Sequence, residues 1–143
     1  MKRILIMGLP GAGKTTLAGE LKKQLQAVGK TVGWLNADEV RRYYNDWDFS
    51  VEGRIRQSWR MRELADEVST DYVIVDFVAP LSEMRDNFAA DITIWVDTIT
   101  EGRYNDTNAM FQPPAKYDFR ITVQDSETQS KIIVNKILGD TND

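Results

Sequence analysis

Gly8-Leu9-Pro10-Gly11-Ala12-Gly13-Lys14-Thr15 is the stretch that decides the fold. It has the spacing of a phosphate-binding loop: one glycine, four residues, then Gly-Lys-Thr. Glycines let the backbone curl so that successive N–H groups point inward at phosphate oxygens. The residues before it, Lys2 to Met7, are mostly apolar, as expected of a buried strand. After it, Leu17, Leu21, Leu25 and Val28 recur at helical spacing, and Gly29 sits where the helix should stop. Strand, glycine turn and helix in that order set a helix N-terminus, with its positive dipole end, against the phosphates. Lys14 is then expected at the β- and γ-phosphates of ATP, and the Thr15 hydroxyl on Mg²⁺. Gly8, Gly11, Ala12, Gly13 and Thr16 complete the expected cradle. A chance match to the pattern is expected in roughly one chain per 200 of this length, and the strand–helix context lowers that further.

Working outward, Thr31–Asn36 reads as a second strand, and Tyr72–Val75 as a third that ends in Asp76. Ile92–Val96 is a fourth, ending in Asp97, and Phe119–Val123 a fifth. Helices are expected from an Asp38 cap to about Asn45, from about Glu52 to Val68, from Leu81 to Phe88, and from Ser126 to Leu138. Ile55, Trp59 and Ala65 are the inward candidates of the second of these. Trp34, Trp59 and Trp95 are assigned to the core, while Trp47 lies in a loop from Asp46 to Gly53. The polar segment Thr98–Pro114 reads as a mobile loop, with a short lid at about 99–114. Strands alternating with helices predict a three-layer α/β/α fold around a parallel five-stranded sheet. At 143 residues the chain is expected to form one domain, 1–143.

Composition removes several chemistries. There is no Cys and no His, which excludes disulfides, thiolate catalysis and the commonest general base and zinc ligand. Acid–base work falls to Asp, Glu, Lys or Tyr. The net charge of −4 argues against a nucleic-acid partner. No apolar run approaches the ~20 residues of a membrane span, and the N-terminus does not read as a signal peptide, so the expected compartment is the cytoplasm. Six of the ten arginines lie between Arg41 and Arg62. Such a block is either a solvated helix face or a pocket for an anionic ligand.

Open parallel sheets hold ligands at the carboxyl ends of their strands, where Asn36, Asp38, Asp76 and Asp97 fall. Asp38 is the candidate to accept a substrate hydroxyl proton or to hold a metal-bound water. Capping a helix is its other reading, and the two coexist. Asp76 is the candidate second magnesium ligand, with a turn residue as the alternative.

These residues resemble a family. Leu35-Asn36-Ala37-Asp38-Glu39-Val40-Arg41 is similar to the Asp-Gly-Asp-Asn-(Val/Ile)-Arg segment of adenylyl-sulfate kinases. Asn45 through Phe49-Ser50 resembles that family's Asn…Leu-Gly-Phe-Ser loop. Arg54, Gln57 and Arg60 fall where it carries Arg, Asn and Arg. Phe77-Val78-Ala79-Pro80 resembles its Phe-Ile-Ser-Pro, and Val96-Asp97-Thr98 its Val-Asp-Thr. The resemblance covers roughly residues 3 to 98. It implies a phosphate-loop fold like that of nucleoside monophosphate kinases and ATP-dependent phosphorylation of the 3′-hydroxyl of adenylyl sulfate, a step of sulfate assimilation. Carried over, Asp38 is the catalytic acid/base, and Arg41 and Arg54 grip the phosphosulfate. Phe49 stacks on the adenine and Gln57 adds a polar contact. Arg103 reads either as the one lid cation to reach the transferring phosphate or as a surface charge. The resemblance also suggests a homodimer.

The chain departs from the pattern at Asn36, where the family has Asp, at Ala37, where it has Gly, and at Ala79, where it has Ser. Without that serine, transfer is expected to be direct. The segment Pro80–Asp91 and the lid are shorter than in the family. Two other readings stay open: a phosphate-loop kinase for another small hydroxyl substrate (a nucleoside, nucleotide or sugar), and a nucleotide-binding regulatory module with little turnover.

Overall fold

The computed structural model describes residues 1–102 and 104–139. Five strands form one parallel sheet: β1 (Lys2–Met7), β2 (Val32–Asn36), β3 (Tyr72–Asp76), β4 (Ile92–Val96) and β5 (Phe119–Ile121), in the order β2-β3-β1-β4-β5. Alternation along β1 sends Ile4 and Ile6 to one face and Leu5 and Met7 to the other. On the first face, α1 (Lys14–Ala27) contributes Leu17, Leu21 and Leu25, and α6 (Ser126–Gly139) contributes Ile133, Val134 and Ile137. On the second, α2 (Ala37–Tyr44), α3 (Val51–Asp66) and α4 (Ser82–Phe88) contribute Val40, Met61, Ala65 and Phe88. Apart from Ala65, each such buried side chain is worth about 1.5–3 kcal/mol. The expected three-layer α/β/α architecture is therefore present.

The differences from the sequence reading are local. Asn36, not Asp38, caps α2: its side-chain oxygen accepts the Glu39 N–H at 3.1 Å. Asp38 lies inside the first turn, where a carboxylate still favours the helix dipole. Val28 follows the end of α1 and is exposed, because Gly29 takes the left-handed turn one residue later. Trp59 is also exposed, since the inward stripe of α3 runs through Gln57, Ser58 and Met61. Ile55, by contrast, is partly buried, and Trp34 and Trp95 pack at the edges of the two cores. Strand β5 stops at Ile121, and Val123 is exposed. The segment expected to be loop contains a helix, α5 (Asn105–Met110).

The loop between α2 and α3 is built by charge. Ser50 caps α3 through the Gly53 N–H at 3.1 Å. Asp46 accepts from Arg56 at 2.9 Å and from Arg60 at 3.1 Å, and Asp48 accepts from Arg56 at 3.3 Å. The guanidinium of Arg41 donates to the Asp46 and Asp48 carbonyls, each at 3.1 Å, and lies 4.4 Å over the Phe49 ring. The Arg56 guanidinium, the Asp48 N–H and Arg60 together hold the Asp46 carboxyl far below its ordinary value. Bonds from the Ser50 hydroxyl and N–H, then Arg56, also lower the Asp48 carboxyl.

A carboxyl with a depressed folded pKa stabilises fully above its ordinary value of 3.8 and loses that contribution as pH falls. Melting temperature should therefore fall more steeply with acidification between about pH 5 and pH 2 in the wild type than in Asp46→Asn, and parallel slopes would contradict the assignment. Ala89 ends α4 with a left-handed φ of 54° and is exposed. Ala89→Gly should remove that strain and stabilise by about 1 kcal/mol, raising Tm by about 4 °C in a scan.

Candidate active site

Two cavities flank the glycine loop, both at the carboxyl ends of the strands. The larger, about 620 Å³, is lined by Gly11, Gly13, Lys14, Thr15 and Thr16 from the loop and α1. Asn36, Ala37, Asp38 and Arg42 form its wall at the β2–α2 junction, and Asp76, Phe77 and Val78 its floor after β3. Trp47, Phe49 and Arg54, with Tyr104, Asp106 and Thr107 of the α5 region, complete the lining. The smaller, about 380 Å³, shares Gly11, Gly13 and Thr16 and is completed by Ala12, Val96, Thr98 and the Val123–Ser126 turn.

The loop is fixed in place by its surroundings. A side chain at Gly8 would meet the Val96 carbonyl oxygen at 2.5 Å, so only glycine lets β1 leave the sheet beside β4. Gly13 takes a left-handed φ of 105° at the cap of α1, which turns the chain into the helix. The Thr98 hydroxyl donates to the Ala12 carbonyl at 2.6 Å, and Lys14 Nζ to the Leu9 carbonyl at 2.9 Å. Gly8 lies beneath the cradle rather than on the wall of either cavity.

At the floor of the larger cavity sits a buried carboxylate. Asp76 accepts from Trp34 Nε1 at 2.6 Å, from Asn36 Nδ2 at 2.9 Å and from the Thr15 hydroxyl at 3.4 Å. Burial pushes its carboxyl up, while Trp34, the Lys14 charge, Asn36 and Thr15 oppose that. Asn36 and Asp76 are direct partners in the β2–β3 ladder, which is why their side chains meet. The Thr15 hydroxyl and Asp76 carboxylate present hard oxygens side by side. Among the described residues no group of three or more acidic side chains gathers to hold a metal. This donor set fits a cation such as Mg²⁺, which binds through one or two protein oxygens and keeps water and phosphate for the rest.

The structure brings most of the expected site residues together and leaves some out. Gly11, Gly13, Lys14, Thr15, Thr16, Asp38, Phe49, Arg54 and Asp76 line the larger cavity, and Ala12 the smaller. Arg41 does not line either cavity; it is buried, and its guanidinium is committed to the loop carbonyls. Gln57 is likewise buried and donates to the Ala37 carbonyl at 3.2 Å, holding the start of α2 against α3. Arg54 lines the cavity while donating to the Phe49 carbonyl and the Thr107 hydroxyl, each at 2.8 Å. It thereby ties the Phe49 loop to α5. Asp97 pairs with Arg120 at 2.6 Å, outside both cavities. Arg103 lies outside the described residues.

Other contributors escaped the sequence reading. Trp34, assigned to the core, supplies a donor to Asp76; its spacing of two from Asn36 on a strand is the signal that places both on one face. Gln124 reaches the Ala12 carbonyl and the Thr98 hydroxyl, each at 3.4 Å, and lines the smaller cavity. The segment after α5 is also tethered: Gln112 N–H donates to the Pro80 carbonyl at 2.7 Å, and Arg85 donates to the Gln112, Ala79 and Pro80 carbonyls. Among the described residues no helix is long and apolar enough to cross a membrane.

Comparison with known proteins places this geometry. The model of the family described as adenylylsulphate kinase matches residues 2–102. A probable adenylyl-sulfate kinase of Archaeoglobus fulgidus is 37% identical over 97 residues, covering 66% of this chain and 63% of that protein. One of Pseudomonas aeruginosa is 34% identical over 97 residues, covering 66% of this chain and 45% of that protein. The match thus spans less than two thirds of the length of these curated relatives. The APS kinase CysC of Mycobacterium tuberculosis, solved in complex with AMPPNP and APS, shares the fold: the TM-score is 0.77 at 19% identity, covering 95% of this chain and 96% of that one. With the family model spanning most of its length, from the first strand through the end of β4, the chain belongs to the adenylylsulphate kinase family.

Proposed function

We propose that the protein transfers the γ-phosphoryl group of ATP to the 3′-hydroxyl of adenylyl sulfate. The observation that carries this reading is the sharing of one cavity by the phosphate loop, the Asp38 carboxylate, the Phe49 ring and the Arg54 guanidinium. The loop N–H groups and the N-terminus of α1 cradle the nucleotide phosphates. Its base lies in the smaller cavity, on the far side of the loop, beside Thr98 and Gln124. Lys14 leaves the Leu9 carbonyl to neutralise charge on the β- and γ-phosphates. Thr15 and Asp76 would hold Mg²⁺, which would supply charge neutralisation to the phosphates. Asp38 accepts the acceptor's hydroxyl proton as the phosphoryl group moves. Phe49 offers a face to the acceptor's purine, and Arg54 its positive charge and remaining N–H groups to the anionic group. Arg41 and Gln57 serve this site indirectly, by shaping the Phe49 loop and seating α2. The α5 segment and residues 99–114 act as the lid, with Arg103 its cation. The protein works as a homodimer in the cytoplasm in this reading.

A second reading, a kinase for another small hydroxyl acceptor, is favoured by the placement of Arg41 and Gln57 away from the cavity wall. ATP consumption measured with adenylyl sulfate, with a panel of nucleosides, nucleotides and sugars, and with no acceptor separates the two. Consumption stimulated by adenylyl sulfate supports the first. Stimulation by a panel member alone supports the second, and neither would leave a nucleotide-binding module.

Lys14→Ala should abolish turnover and leave Tm nearly unchanged, because Lys14 stands on the wall of an open cavity and its truncation leaves no core void. Near-wild-type transfer by this variant would remove the loop from catalysis. Asp38→Asn retains shape but cannot accept a proton. It should lower kcat by roughly 10²–10⁴ with little change in KM for ATP. A fall in Tm alone would reduce Asp38 to a helix-dipole residue.

A further inference from the structure

We infer that Arg42 is the residue that selects an anionic acceptor at this site; this rests on the kinase reading above. Among the described residues the cations of the larger cavity are Lys14, Arg42 and Arg54. Lys14 belongs to the phosphate loop. Arg54 has two of its donors engaged, one by the Phe49 carbonyl and one by Thr107. Arg41 is buried beneath the Phe49 ring with its guanidinium on two backbone carbonyls. Arg42 is different: it is exposed, it lines the cavity, and no hydrogen bond or ion pair among the described residues engages its guanidinium.

The geometry of α2 gives this a consequence. Arg42 lies four residues after Asp38, so both stand on one face of the helix, a turn apart, and both line the same cavity. A hydroxyl presented to Asp38 would therefore place a neighbouring anionic group of the same molecule within reach of Arg42. The cavity wall also carries the carboxylates of Asp38 and Asp106. An acceptor with its own negative charge is repelled by both unless a cation with free donors faces it. A guanidinium with an unspent fork answers that need for a sulfate or phosphate oxygen pair. The side chain costs the fold little to redeploy, because it braces no other described residue.

The test compares the wild type with Arg42→Gln and Arg42→Lys in steady-state kinetics with ATP and adenylyl sulfate, alongside thermal melts. Arg42→Gln should raise KM for adenylyl sulfate about 10-fold or more, since one charge-assisted contact is lost. KM for ATP should change less than about twofold, kcat at saturating acceptor should be largely retained, and Tm should be unmoved, as expected of an exposed side chain with no partner. Arg42→Lys should recover only part of the loss. An unchanged KM for adenylyl sulfate in Arg42→Gln, with active wild type, overturns this inference and leaves the kinase reading standing. If the wild type ignores adenylyl sulfate, the proposed substrate falls, and the acceptor panel decides here. A preferred anionic acceptor whose KM rises in Arg42→Gln upholds the role of Arg42. A neutral preferred acceptor, or one indifferent to the substitution, overturns it, and turnover of no acceptor overturns both.

Discussion

The site depends on one amide. The Asn36 side chain donates to Asp76 Oδ1 and lies 3.3 Å from the Thr15 hydroxyl, while its oxygen receives the Glu39 N–H. A single side chain thus joins the floor of the cavity, the first turn of α1 and the first turn of α2. Asp76 is buried, and an unpaired carboxylate there would cost several kcal/mol. Trp34, Asn36 and Thr15 hold it in one orientation instead. The position of Asp38 follows, because the helix that carries it starts where Asn36 caps it. A second carboxylate in place of the amide would have set two like charges in contact at that depth.

The Phe49 side of the cavity is organised differently. Arginines are abundant on α2 and α3, yet most are structural. Arg41, Arg56 and Arg60 hold the backbone and acids of a loop whose two aromatic residues, Trp47 and Phe49, are exposed and give it no core of its own. Their reward is a fixed Phe49 ring, with Arg41 beneath it and Arg54 5.3 Å from its centroid. A rigid aromatic face at a cavity wall loses little entropy when a planar ligand settles on it. The loop spends charge on order so that the ring is ready beforehand.

The fold was legible because its signals are local and periodic. Glycine spacing marked Gly8–Thr15, continuous apolar runs marked β1, β3 and β4, and Leu17, Leu21 and Leu25 marked α1. What was misread depends on contacts between distant residues. Asn36 and Asp38 are both good caps, and the choice turns on where β2 ends against β3. On an eight-residue helix, adjacent Arg41 and Arg42 point about 100° apart. Which of them meets the cavity is set by how α2 rests on α3 and the loop, and no pattern within α2 records it. Arg54 finds Thr107 fifty-three positions away. The short helix α5 carries only Asn105-Asp106-Thr107-Asn108-Ala109-Met110, too polar to show a stripe, and its order comes from tethers at Gly102, Arg54 and Pro80.

The rung shared by Asn36 and Asp76 has an evolutionary consequence. Two side chains that face each other across a ladder stand about 5 Å apart at Cβ, and here their polar ends meet in a hydrogen bond, so the cavity floor registers their summed charge more than the address of either. Exchanging amide and carboxylate between the two strands reverses the direction of one hydrogen bond and preserves that sum. A carboxylate on β2 still caps α2, and an amide oxygen on β3 still receives the Trp34 indole. Lineages of this fold are therefore free to move the acid from one strand to its neighbour in two compensating steps. Sequence comparison along a single strand would record a lost acid where the electrostatics of the floor had been conserved.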